Sequence, residues 1–200
     1  MNVTSTNETI AQQAISDHHL LTEILNHLLS KNDEVRSKNY EIILFLSINH
    51  PQYLYKQWDF FVDLLSSKNH YHRYIAINIL SNLASVDTQN KFDSIFNLYV
   101  DQISSRRTMI AGQAIMNAGK IAKSKFTLQQ RITDLLLHLD KIYPGKHTDL
   151  MNAYAIQSFQ EFFDQSNKKN EIINFAKQQL ESTSPKTRKY AKNFLDTHAL

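Results

Sequence analysis

Cysteine is absent from the 200 residues. That removes disulfides, zinc–thiolate sites and thiolate nucleophiles together, and it fits a reducing compartment. Glycine and proline are scarce, three of each, where average usage gives about 14 and 10. Sheet-rich folds need such residues at their turns, whereas helices joined by short polar turns need few, so the deficit points to an all-helical chain. Glycine at 112, 119 and 145 alone leaves no phosphate-cradling loop and no dinucleotide fingerprint. The longest apolar runs, such as Ile42-Ile43-Leu44-Phe45-Leu46, fall far short of the ~20 residues that cross a bilayer. Met1 to Thr6 has neither the basic nor the apolar region of a signal peptide. The expectation is therefore a cytoplasmic protein without a membrane segment, with the Asn-x-Thr matches at Asn2 and Asn7 arising by chance. His18-His19 and His70-Tyr71-His72 lack a third ligand at metal spacing, so neither metal nor cofactor is expected.

What is present is an internal period. Five segments align on Arg36, Arg73, Ala111, Asn152 and Arg188, spaced 37, 38, 41 and 36 residues apart. Three, seven and ten positions after these anchors come Asn39/Ile43/Leu46, Ala76/Leu80/Leu83, Ala114/Ala118/Ile121, Ala155/Phe159/Phe162 and Ala191/Leu195/His198. Steps of three, four and three trace one face of a helix. A second apolar helix precedes each anchor: Leu21/Ile24/Leu25/Leu28, Trp58/Phe61/Val62/Leu65, Phe92/Ile95/Phe96/Tyr99, Ile132/Leu135/Leu136/Leu139 and Ile172/Ile173/Phe175/Leu180. Each unit is then a helical hairpin. Ser184-Pro185 reads as N-cap and first helical residue, and Thr127-Leu128-Gln129-Gln130 and Ser5-Thr6-Asn7-Glu8 as capping boxes. Asn49-His50-Pro51 and Pro144-Gly145 break between helices.

An Arg, a small residue three later and Leu at seven and ten resemble the second helix of HEAT repeats. Asp33-Glu34-Val35-Arg36 and Ser184-Pro185-Lys186-Thr187-Arg188-Lys189-Tyr190-Ala191 carry the likeness best. The third and fourth units lack the Arg, which interrupts any Arg ladder. The resemblance implies an all-α, right-handed α-α superhelix (solenoid) of about five HEAT-like hairpins forming a single domain. Its approximate units are 8–50, 51–86, 87–125, 126–168 and 169–200, with residues 1–7 a flexible tail. Some HEAT-like proteins are di-iron hydroxylases built on His-Glu dipeptides, and this chain has no such pair.

The charge is uneven. Residues 1–64 hold four Lys/Arg against eight Asp/Glu, and residues 65–133 hold nine against three. Gln102 to Thr133 contains no acidic residue and six cations. Arg73, Arg106, Arg107, Lys120, Lys123 and Lys125 are the candidate binding residues for an anion or an acidic partner, with Ser104-Ser105-Arg106-Arg107-Thr108 leading into a helix. The plainer reading is a solvated basic turn. Gly112 and Gly119 within one helix call for close packing against the next unit, or else a groove for a partner's backbone. Trp58 shares an apolar face and reads as core.

The favoured function is a non-enzymatic scaffold that holds a protein or peptide on its concave surface of second helices. The alternative is a nucleic-acid-binding protein, and the resemblance makes the HEAT-like DNA alkylation-repair glycosylases its specific form. That form needs a carboxylate and aromatics facing the basic groove, and the sequence positions no candidate: Asp87, Asp93 and Asp101 flank the basic stretch without a motif context.

Overall fold

The computed structural model describes residues 6–198, which are helical hairpins and turns with no strand among them. They form two compact units that meet at residues 87 and 88.

In the first unit, α1 (Thr6–Ser16) and α2 (His18–His27) precede α3 (Asp33–Asn49). After His50, α4 (Pro51–Leu54), a 3-10 turn and α5 (Trp58–Leu65) precede α6 (His70–Leu83). The proline stands at the first helical position of α4, where its missing N–H costs nothing. Leu21, Ile24, Leu25, Leu28, Trp58, Phe61 and Leu65 are buried, as are Ile43, Leu46, Ala76, Leu80 and Leu83, so the 3-4-3 faces form the core as their spacing predicts. Thr6 and Asn7 belong to α1, and the Asn7 amide donates to Glu41. They are thus part of the repeat rather than of a tail. Ser5, the first residue of one expected capping box, lies outside the described residues.

The second unit comprises α7 (Lys91–Ile103), α8 (Thr108–Ser124), α9 (Phe126–Leu137), α10 (Leu139–Ile142), α11 (Thr148–Phe162), α12 (Lys169–Gln178) and α13 (Pro185–His198). The second helices α8, α11 and α13 pack side by side in that order. They run parallel: Lys186 near the start of α13 lies over the Tyr154 ring, while at the far ends Lys123 faces Glu161 and Gln160 pairs with His198. Gly119 makes the α8–α11 approach possible, because a Cβ there would lie 2.8 Å from Ser158 Cα and against its carbonyl. Gly112 lies beneath the Tyr154 ring. Both glycines therefore serve packing within the chain.

The period reappears in hydrogen bonds. Asn90–Lys125, Asp93–Thr127, Asn97–Arg131, Asp134–Lys168 and Asp149–Thr183 join side chains 34 or 35 residues apart, one repeat in sequence and one hairpin in space.

Three expectations are corrected. Thr127 caps nothing, since α9 begins at Phe126 and the Thr127 hydroxyl donates to Asp93. In α13 Phe194, packed edge-on against Phe163, is buried where the spacing predicts Leu195, and Leu195 is half-buried. Phe159, at the same position of α11, meets Phe175 of the following hairpin, and no following hairpin packs against α13 among the described residues. Leu180 is 38% exposed, because α12 gives way at Gln179 to a 3-10 turn that rotates it off the apolar face.

Candidate functional site

The same turn recurs inside four of the five hairpins. Ser30, Ser67, Ser105 and Ser182 each stand six residues before an anchor, and each hydroxyl accepts the N–H two residues on, at 3.1 to 3.3 Å. Arg36 and Arg188 then reach back to the carbonyls of Ser30 and Ser182, at 2.9 and 2.6 Å. The anchor arginine thus staples its own turn, and Arg36 also pairs with Asp33. The serine signal was legible in the sequence six residues ahead of four of the five anchors, with Lys146 standing at that place before Asn152, but short polar turns look alike until a period is imposed on them.

Helix starts divide the turns into two kinds. Asn32 and Asn69 cap α3 and α6, accepting from Glu34 and Tyr71 N–H groups at 2.9 Å, and Ser184 accepts from Thr187 at 3.3 Å. The caps of α8 and α11 are Arg107 and His147, neither of which makes a capping bond. Two adjacent turns of the second unit thus carry cationic or titratable groups where the others carry caps.

The six candidate cations do not form one patch. Arg73 is half-buried on α6, in the first unit. Arg106 and Arg107 are exposed at the start of α8, with no side-chain hydrogen bond or ion pair among the described residues. Lys120 and Lys123 lie at the other end of α8, ~20 Å along at 1.5 Å per residue, where both face Glu161. Burial holds the Lys120 ammonium below the ordinary lysine range, against the opposing pull of Glu161. Lys125 leaves the surface: it is buried, donates to Asn90 at 2.6 Å and lies 3.8 Å from Asp93. Asn90 holds a left-handed φ of 54° to receive it, a conformation Asn tolerates.

The aspartates that flank the basic stretch are occupied or displaced. Asp87 is buried and accepts the Tyr55 hydroxyl at 2.6 Å. Asp93 takes Lys125 and Thr127, and Asp101 lies on the first-helix side of its turn, in α7.

The second helices of the second unit leave a shared face uncovered. Two residues before the anchors stand Met109, Leu150 and Lys186, and two after stand Gln113, Tyr154 and Tyr190. Five after come Met116, Gln157 and Asn193. All nine are exposed or half-buried, while the positions between them are largely core. Met109 is 48% exposed. The Lys186 ammonium sits 4.2 Å from the Tyr154 ring centre and 5.7 Å from that of Tyr190, and the Gln157 Oε1 has no hydrogen-bond partner.

Elsewhere, Tyr40, Tyr71, Tyr74, Arg36 and Asp33 line a cavity of about 300 Å³ in the first unit. Burial, then the neighbouring Tyr74, pushes the Tyr40 phenol well above its usual range. Arg36 already occupies the Tyr71 face, 4.3 Å from its centre. No group of three or more His, Asp or Glu suited to a metal occurs among the described residues.

No family model and no curated protein matches the sequence. Solved structures do. A designed armadillo repeat protein, YIII(Dq)4CqI, aligns over 98% of this chain and 95% of its own, with a TM-score of 0.58 at 13% identity. The chain has the α-solenoid repeat fold. An engineered protein from a structural genomics consortium aligns over 96% of this solenoid chain and 88% of its own, with a TM-score of 0.53 at 15% identity. At such identities the likeness is one of fold.

Proposed function

We propose that the chain is a protein-interaction module that holds a peptide or protein segment on the uncovered face of its second helices. The carrying observation is the face of α8, α11 and α13. It sets adaptable apolar groups (Met109, Met116, Leu150), aromatic rings (Tyr154, Tyr190) and side-chain amides (Gln113, Gln157, Asn193) on parallel helices. Methionine fits varied partners, tyrosine gives area at low entropic cost, and amides bond to a peptide backbone. Arg106 and Arg107 border this face at one end, and Lys120 and Lys123 at the other. The nucleic-acid alternative gains no observation, because Lys125 is buried and the cations at the far end of α8 face Glu161.

Selection of random peptides on the intact chain tests the reading. Enriched peptides should lose binding to M116R and keep it when Asn97, on α7, is replaced by Arg. Enrichment indifferent to M116R would remove the second-helix face from consideration.

A further inference from the structure

Resting on that reading, we infer that the edge of this face where α8, α11 and α13 begin binds an extended acidic peptide whose carboxylates recur at every third residue. In the second unit Lys and Arg exceed Asp and Glu by 16 to 10, against 6 to 9 in the first. Its excess gathers at the starts of the second helices: Arg106 and Arg107 before α8, Lys146 before α11, Lys186 and Lys189 in the first turns of α13. All five are exposed, and none forms an ion pair or side-chain hydrogen bond among the described residues. The carboxylate closest in sequence to this row, Asp149, accepts the Thr183 hydroxyl. Asp101, Asp140 and Glu181 belong to the preceding helices. Where other second helices start with a capping side chain, α8 and α11 start with Arg107 and His147, which favours a negative partner at the expense of a local bond.

The spacing of the cations sets the period of the partner. Parallel packed helices lie ~8–10 Å apart, so three successive helix starts place cations at about that interval. An extended peptide in the polyproline II conformation advances ~3.1 Å per residue and returns to the same face at every third residue, and three residues therefore match one helix step. Half-buried Tyr154 and Tyr190 flank Lys186 and border the row with aromatic surface. A nucleic-acid strand carries charge on every residue and gains nothing from such a period, so the spacing favours the peptide.

Fluorescence polarisation on the intact chain decides between these. The probes are a labelled Gly/Ser/Glu peptide with Glu at every third position, one of the same composition with its Glu contiguous, and an oligothymidylate. The spaced peptide should bind about fivefold or more tighter than the contiguous one, a difference near 1 kcal/mol. R106Q/R107Q, K146Q and K186Q should each weaken it, and K169Q/K177Q on α12 should not. All variants should stay folded, with K186Q and K169Q/K177Q losing only a little stability along with their cation–π contacts. Equal binding of the two peptides, insensitivity to the edge substitutions, or tighter binding of the oligothymidylate would each overturn the inference. Were the selected peptides to require Met116 yet lack acidic residues, the edge would lose its ligand while the interaction module stood.

Discussion

At the scale of single residues, the two helical glycines separate cleanly. A methyl at Gly119 meets Ser158 backbone, which cannot swing aside, so G119A should destabilise by ~1–3 kcal/mol from overpacking despite better helix propensity. At Gly112 the obstacle is the Tyr154 ring, 2.8 Å away at its Cε2, which can rotate. G112A should therefore lie within ~1 kcal/mol of the parent, and denaturant melts of the two variants compare them directly. Leu80 is fully buried in α6, and L80A should cost ~2–5 kcal/mol; a near-neutral change would mean that the 3-4-3 face is not the core. His72 makes a pH prediction. Burial, then Arg36, holds its imidazole below the ordinary histidine range, so the folded chain binds fewer protons there than the unfolded one. The associated stability is present above pH ~6.5 and fades as pH falls below it. Thermal melts across that range should show a shallower acid loss for H72Q than for the parent.

At the scale of elements, the contrast among helix starts yields a test that separates folding from binding. Replacing Arg107 with Asn gives α8 the cap that α3 and α6 already have, and R107N should gain ~1 kcal/mol of stability while weakening the acidic peptide. A variant that loses both would mean that Arg107 is a structural residue. Helix existence was legible in the sequence because apolar periodicity is set by packing, which the anchors repeat five times. Leu195 was less legible, since it follows the same periodic pattern as Phe159, which meets Phe175 of the following hairpin, yet it is only half-buried. Capping chemistry misled at Thr127, where a hydroxyl that reads as a local cap serves the neighbouring hairpin through Asp93. Local patterns alone do not distinguish those two partners.

At the scale of the whole molecule, each unit has its own balance of charge, and the sequence shows that asymmetry directly. It does not show which cations remain free. Lys125 and Arg106 read alike in a basic stretch, yet one is a buried tie between hairpins and the other an unpaired surface group; the difference lies in Asn90 and Asp93, one repeat away. The binding face was missed for a related reason. Its residues are the complement of the core positions, and they gain meaning once α8, α11 and α13 are known to lie side by side. The methionines offer the most direct test of that face, since Met109 and Met116 lie on it and Met151 is fully buried in the core. The methyl spectrum of the ¹³C-methyl-methionine-labelled chain, recorded with and without a selected peptide, should show Met109 and Met116 resonances shifting to saturation while that of Met151 holds still. Saturation that leaves Met109 and Met116 unmoved would contradict the account.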